Sequence, residues 1–209
     1  MPRDASPHST SVAQVPPTVA TRDGLNLVTT HWPALTPLKG VVALVHGLGE
    51  HAGRYAHVAR LLNQLGWAVV GYDHRGHGRS PGGRGGLKHG DDLLHDLAAV
   101  IDTIRAAYPG QRLLVLGHSL GGLVTARFVS ALAHPSENAL WQRPVDLCVL
   151  SSPALDLGMS PFQKGLLNSV GRLTPDVAVG NGLKPEWVCS DASVAVSYTH
   201  LTLPTSDLV

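Results

Sequence analysis

The strongest constraint on the fold is a G-x-S-x-G pentapeptide, GHSLG, at residues 117–121. It directly follows the apolar run LLVL at residues 113–116 and precedes a helix-compatible stretch. In this strand–turn–helix order the pentapeptide is typical of a nucleophile elbow. The turn is sharp, and side chains in place of Gly117 or Gly121 would strike the neighbouring strand and helix. The pattern therefore predicts that Ser119 stands at the carboxyl edge of a sheet.

The pentapeptide alone is weak evidence, because with 23 glycines in 209 residues it arises by chance in roughly one such chain in five. A second motif, HGLG, follows the apolar run at residues 41–45. Such a run is typical of a buried parallel strand, and H-G-x-G resembles the oxyanion loop of lipases and esterases. Ester hydrolysis creates an oxyanion that backbone N–H groups must already face. By position, these donors are the N–H of Leu48 and that of Leu120.

The residues around these groups are predicted to support the site rather than to react. His46 has two interpretations: a histidine packed under the turn, which we favour, and a direct catalytic group. The other supporting positions are Gly47, Gly117, His118 and Gly121.

A third apolar run, at residues 67–72, precedes the loop DHRGHGRS at residues 73–80. Its two histidines, two arginines and one aspartate could bind phosphate or a metal. However, the chain contains no H-E-x-x-H, no C-x-x-C pair and no G-K-[ST]. We therefore favour a structural loop that braces the site over a ligand-binding one.

Strand and helix patterns alternate from Val41 to Leu150, which predicts an α/β fold with a mostly parallel sheet and helices on both faces. Asp23-Gly24 between two short apolar runs predicts a hairpin before them. Two helical stripes are expected to pack on the sheet, one from Tyr55 to Leu65 and one from Leu93 to Ile104.

Together the motifs H-G-x-G-E-H, D-x-R-G-H-G-x-S and G-H-S-x-G-G resemble the monoacylglycerol lipase and lysophospholipase family of the α/β-hydrolases. The resemblance runs from about Thr18 to about Val194. It implies hydrolysis of a single-acyl lipid ester by a Ser-His-Asp triad, with no cofactor and no metal. Carried over to this sequence, it makes Ser119 the nucleophile and Leu48 and Leu120 the oxyanion donors.

The triad acid and histidine are expected to be absent from these 209 residues. In this fold they follow the serine in the order acid, then histidine. His134 is expected at a helix end, and His200 lies in a doubtful tail, residues 196–209. Residues 196–205 resemble a translated sequencing-library adapter. We expect the last strands of the fold to be missing and the genuine protein to continue past about Ala195.

Three regions are predicted: a flexible leader at residues 1–17, an incomplete hydrolase domain at 18–195, and the non-native tail. The domain includes the start of a cap from about residue 155. Met159, Phe162, Leu166, Leu167 and Val170 could share one helix face there. This face would pack on the core, or admit an acyl chain and contact a membrane surface.

The bulk properties agree with a globular enzyme. The net charge of +1 gives no reason to expect a nucleic-acid partner. Cys148, in an apolar run, is predicted to be a buried strand residue, and Cys189 lies in the cap region. The two cysteines suggest no disulfide framework, so we expect a reducing, cytoplasmic compartment with only peripheral membrane contact.

Several functions stay open at this point. The favoured one is a serine ester hydrolase acting on monoacylglycerol through an acyl-enzyme. The alternatives are a lysophospholipase, another carboxylesterase or aminopeptidase of the same fold, an inactive fragment, and a non-catalytic binding module. The sequence leaves acyl-chain length, head group and oligomeric state undefined.

Overall fold

The computed structural model describes residues 14–84, 87–133 and 139–155. Within these ranges the chain forms a six-stranded sheet with helices on both faces. The strands are β1 (Thr18–Ala20), β2 (Asn26–Trp32), β3 (Gly40–Val45), β4 (Trp67–Tyr72), β5 (Leu113–His118) and β6 (Leu147–Ser151). The helices are α1 (Ala56–Gln64), α2 (Asp92–Ala107) and α3 (Leu120–Leu132), and a 3-10 helix at Ala52–Tyr55 precedes α1.

The strand order is β1-β2-β4-β3-β5-β6. Strands β4, β3, β5 and β6 run parallel, whereas β1 and β2 form an antiparallel hairpin that joins β4. This confirms the mostly parallel α/β sheet and the hairpin at Asp23-Gly24, where Gly24 has φ +87°. Because parallel strands end at the same edge, the loops after β3, β4, β5 and β6 meet there.

The two faces of β3 lie in two separate apolar cores. Val41, Ala43 and Val45 pack in the larger core, which α2 and α3 cover. Val42 and Leu44 lie in a smaller core, to which α1 contributes Ala59. Every residue of β3 is therefore buried, as expected for a parallel strand between helical layers.

Helix α1 departs in one detail from its predicted apolar stripe. The stripe was expected to bury Leu65, but Leu65 caps the helix and its side chain is 59% exposed. The chain turns away at Gly66, which has φ +91°, so Leu65 lies beyond the face that packs on the sheet. The helix therefore ends just before this glycine.

The prediction that Cys148 is buried is wrong, because every residue of β6 is exposed. Strand β6 pairs with β5 on one side and lies at the edge of the sheet in the described part of the chain. An edge strand is covered by a neighbour on one side only, so its apolar sequence does not ensure burial.

The predicted cap helix, the tail and residues 1–13 of the predicted leader cannot be compared with this fold. Residues 14–17 of the leader are described, and Thr29 donates hydrogen bonds to the Pro16 and Pro17 carbonyl oxygens at 2.5 and 2.9 Å. Residues 1–13 and 156–209 lie outside the described ranges, as do the cap positions, Cys189 and His200. His134 also falls outside them, just after the end of α3. Among the described helices, none is both long and apolar enough to cross a membrane.

Candidate active site

Ser119 lies between the end of β5 and the start of α3, with φ +53° and ψ −115°. A positive φ is uncommon for a residue with a side chain, and such strain is concentrated at functional sites. The residue is half-buried. The structure thus gives Ser119 the strained strand-to-helix conformation that the pentapeptide predicts.

The elbow glycines lie against neighbouring backbone. A methyl carbon added to Gly121 would lie 2.1 Å from the Val45 carbonyl oxygen, and one on Gly117 would lie 2.3 Å from the Gly121 oxygen. Both distances are far below a normal contact, so no larger residue fits at either position without movement. This close approach brings the start of α3 against the end of β3.

The last residue of β6 and the segment after it hold the backbone of the elbow. The Ser119 N–H donates to the Ser151 carbonyl oxygen at 3.0 Å, and the Ala154 N–H donates to the Ser119 carbonyl oxygen at 3.0 Å. His118 Nδ1 lies 3.1 Å from Ser151 Oγ, so this predicted supporting residue also contacts the last residue of β6. Ser152 itself has φ +43°.

The predicted oxyanion loop, residues 46–49, lies directly against the elbow. A methyl carbon added to Gly47 would lie 3.2 Å from Ser119 Cβ. The N–H of Leu120, at the first position of α3, has no acceptor inside its own helix. In the described ranges the Leu48 N–H also makes no hydrogen bond. The structure thus brings the Leu48 loop, Leu120 and Ser119 together.

His46 is fully buried under the loop, as one of its two interpretations expects. Its Nε2 accepts the His74 N–H at 2.9 Å, so Nδ1 must carry the proton and donates to the Gly47 carbonyl oxygen at 2.7 Å. Burial lowers the pKa of His46 to about 4. The ring is therefore neutral at pH 7, with both nitrogens occupied by backbone groups.

Glu50 and Tyr55 are contact residues of this loop to which the sequence analysis gave no role. Glu50 Oε1 accepts the Gly47 N–H and the Tyr55 hydroxyl, each at 2.5 Å. Burial, together with the Glu50 carboxylate, raises the pKa of Tyr55, so its hydroxyl stays a donor. The available signal was the Glu in H-G-x-G-E-H, three residues after the glycine whose N–H it accepts.

Polar side chains of the loop at residues 73–80 anchor it to neighbouring segments by hydrogen bonds. Asp73 accepts the N–H groups of Ala52 and Arg79, at 2.9 and 3.0 Å. Arg75 donates two hydrogen bonds of 2.7 Å to Asp96 on α2 and also pairs with Asp23 in the hairpin. These contacts favour the structural interpretation of the loop. Within the described residues, no cluster of three metal-ligating side chains occurs.

The base of a catalytic triad is not placed by the described part of the chain. There the Ser119 hydroxyl makes no hydrogen bond to a histidine or to any other residue. The expected absence of the triad acid and histidine from the 209 residues stays a prediction.

This arrangement defines a class of protein: an α/β-hydrolase whose serine stands on a nucleophile elbow beside an H-G-x-G loop. The sequence profile of the Hydrolase_4 family, described as serine aminopeptidase, S33, matches residues 36–204, and the chain belongs to that family.

Individual relatives agree with the expected resemblance. A monoacylglycerol lipase of Mycolicibacterium smegmatis is 35% identical over 177 residues, which make up 84% of this chain and 60% of that protein. A monoglyceride lipase of Homo sapiens is 37% identical over 128 residues, 59% of this chain and 42% of its own length. The crystal structure of Paleococcus ferrophilus monoacylglycerol lipase matches with a TM-score of 0.62 at 33% identity, covering 88% of this chain and 63% of that one. The chain thus spans about three fifths of two of these relatives and less of the third.

Proposed function

We propose that the protein is a serine ester hydrolase that acts on a single-acyl lipid such as monoacylglycerol. The observation that carries this proposal is Ser119, held at φ +53° with the oxyanion loop packed against it. A strained serine beside unpaired backbone N–H groups is the arrangement that acyl transfer requires. The names of the relatives support a lipid ester as the substrate.

In the proposed reaction, a histidine takes the proton of the Ser119 hydroxyl as the oxygen attacks the ester carbonyl carbon. The N–H groups of Leu48 and Leu120 hold the oxyanion that forms. When the carbonyl re-forms, the bond to the alcohol breaks and the histidine returns the proton to the leaving glycerol oxygen. Water then attacks the acyl-enzyme in the same way and releases the fatty acid.

The general base and its carboxylate are proposed to come from sequence outside these 209 residues. In this fold the triad residues follow one another in the chain as serine, then acid, then histidine, so both the acid and the histidine lie after Ser119. With those groups absent, only the oxyanion hole and binding would contribute to catalysis, so the 209-residue chain on its own would be nearly inactive.

One alternative reaction has a specific observation in its favour. The matching family is described as serine aminopeptidase, S33. The same serine and oxyanion donors can attack an amide carbonyl, with an amine as the leaving group. A substrate panel of monoacylglycerols, lysophospholipids and amino-acyl amides distinguishes these reactions.

The first experiment is to sequence the source locus across codon 195 from an adapter-free amplicon. The 209-residue chain and the product of that reading frame are then assayed with the panel, together with Ser119→Ala. We expect the longer product to hydrolyse monoacylglycerol and Ser119→Ala to lose about 10⁴-fold or more in kcat. Ser130→Ala, farther along the same helix, is the matched control. Full activity in Ser119→Ala would refute the nucleophile assignment.

Membrane contact and compartment are further parts of the proposal. The cap from about residue 155 is proposed to touch a lipid surface, and the protein to work in a reducing, cytoplasmic compartment. The free, exposed Cys148 supports the second point. Vesicle flotation of the longer product, with and without Phe162→Ser and Leu166→Ser, tests the first. Unchanged flotation and acyl-chain preference would contradict it.

A further inference from the structure

We propose that Glu50 is a positioning residue, which holds the Gly47–Leu48 peptide so that the Leu48 N–H faces the carbonyl attacked by Ser119. The inference rests on the proposed function and adds a residue to its machinery. Glu50 would not touch the substrate. Its effect would pass through the backbone of the oxyanion loop.

The carboxylate of Glu50 is fixed by three partners. Oε1 accepts the N–H of Gly47 and the hydroxyl of Tyr55, and Oε2 lies 3.3 Å from Nη1 of Arg54. The Glu50 side chain is only 10% exposed. Both carboxylate oxygens of Glu50 are engaged and water has little access to them. Oε1, the acceptor for the Gly47 N–H, is therefore held in one position.

His46 holds the other side of Gly47. Its protonated Nδ1 donates to the Gly47 carbonyl oxygen at 2.7 Å. That carbonyl and the Leu48 N–H belong to one planar trans peptide, in which they point in opposite directions. Fixing the carbonyl towards His46 therefore directs the Leu48 N–H away from it. Both polar backbone atoms of Gly47 are held, and only the Leu48 N–H is left for a ligand.

Glu50 and Ser119 both lie beside the α-carbon of Gly47. A methyl carbon added to Gly47 would lie 2.8 Å from Glu50 Oε1 and 3.2 Å from Ser119 Cβ. A negative charge this close opposes a developing oxyanion. The charge of Glu50 therefore does not explain its place beside the elbow, whereas its capacity to accept hydrogen bonds does. Arg54 offsets the charge.

Substitution can separate these two properties. Glu50→Gln keeps an oxygen that accepts from Gly47 and Tyr55 but removes the charge. Glu50→Leu removes the acceptor as well. Asn63→Ala is the matched control, because Asn63 is buried and donates two hydrogen bonds, to the Trp32 and Trp67 carbonyls near the opposite edge of the sheet.

The kinetic test compares the hydrolysis of an ester with that of the matching thionoester. It uses either the 209-residue chain or the product of the longer reading frame, whichever hydrolyses the ester. A thiocarbonyl sulfur is a weak hydrogen-bond acceptor, so the hydrolysis of a thionoester depends little on the oxyanion donors. Since one such donor contributes about 10²–10³ in kcat, we expect Glu50→Leu to lower kcat for the ester about 100-fold with KM unchanged. The ester-to-thionoester rate ratio should fall at least about tenfold. It should stay within about threefold in Glu50→Gln and Asn63→Ala.

A second measurement is independent of activity. Amide hydrogen exchange of Gly47, followed by NMR, should be slow in the wild type and in Glu50→Gln and at least about tenfold faster in Glu50→Leu. An active wild type with an unchanged ester-to-thionoester ratio in Glu50→Leu overturns the positioning role and leaves the proposed function standing. A tenfold fall of that ratio in Glu50→Gln also overturns it, because charge would then matter.

An inactive wild type refutes the proposed function and, with it, the catalytic part of this proposal. Gly47 exchange still decides whether Glu50 holds the loop: equal rates in the wild type and Glu50→Leu would show that it does not. Tyr55→Phe, which removes one donor to Glu50, should lower the ester-to-thionoester ratio by a smaller factor than Glu50→Leu. An equal or larger fall would assign the loop to Tyr55 instead.

Discussion

Strands β3 and β6 have similar apolar sequences but opposite surroundings. All six residues of β3, GVVALV, are buried, whereas all five residues of β6, LCVLS, are exposed. Strand β3 has a neighbour on each side and helices over both faces, while β6 pairs with β5 alone in the described part of the sheet. The difference shows that an apolar run predicts a strand, whereas its position in the sheet decides its burial.

We expect the centre of the sheet, around β3, to be least tolerant of substitution where α3 contacts β3. In Gly121→Ala the new methyl carbon would lie 2.1 Å from the Val45 oxygen and 2.5 Å from the His46 oxygen. We expect a loss of roughly 4 kcal/mol or more in the free energy of unfolding, because backbone cannot move aside locally. Urea denaturation measures it. Gly90→Ala, where no atom lies within 4 Å of the added carbon, should change stability by less than about 1 kcal/mol. Equal losses would contradict the proposed close contact.

A matched truncation compares the two strands directly. Leu44 in β3 is fully buried and Leu150 in β6 is 41% exposed. We expect Leu44→Ala to cost about 3 kcal/mol, because it removes buried methyl groups and leaves a cavity. Leu150→Ala should cost about 1 kcal/mol or less. Chemical denaturation of both variants gives the comparison. A larger loss for Leu150→Ala would mean that β6 is covered in solution.

The buried histidines of the centre should make stability depend on pH. Burial lowers the pKa of His46 to about 4 and that of the fully buried His74 well below its usual value. Below pH 6.5 the unfolded chain therefore binds protons that the folded chain does not, so stability falls as pH falls. For His46 alone the loss between pH 7 and pH 4.5 is about 2 kcal/mol. Urea denaturation across this range measures it, and a flat profile would contradict it.

We expect the edge strand β6 to be accessible to chemical reagents, and its modification to change the free energy of unfolding little. Cys148 is free and exposed on β6. In a Cys189→Ser variant, which leaves one cysteine, we expect iodoacetamide to label Cys148 fully without denaturant. Partial burial raises the pKa of this thiol, so labelling should speed up with pH. The modification should change stability by about 0.5 kcal/mol or less. Protection until unfolding would restore the buried interpretation of this strand.

Local sequence was sufficient for much of the fold and for the outline of the site. The strand-to-helix turn at Ser119, the alternation of strands and helices, and the hairpin at Asp23-Gly24 were predicted and are confirmed in the described residues. Each rests on neighbours in sequence: an apolar run, a turn glycine, or a helical period. The exposed Cys148 and Leu65 were missed, because each depends on what does or does not pack against it.

The contacts of the candidate site show the same division. The sequence marked Ser119, Leu48 and Leu120 from motif positions alone. It gave no role to Glu50 or Tyr55, although both contact the oxyanion loop. Their hydrogen bonds join groups three and five residues apart across a turn, and the motif does not specify these partners.

The sequence by itself determined the elements and the order in which they follow one another. Chain stereochemistry and apolar periodicity act over a few residues, so they are legible without a structure. Only the tertiary structure decided which strand is buried, which nitrogen of His46 carries the proton, and which side chains hold Gly47. These depend on burial and hydrogen bonding between distant segments, as when His74 donates to His46 from 28 positions away. Such contacts form only when the sheet brings the ends of its parallel strands together.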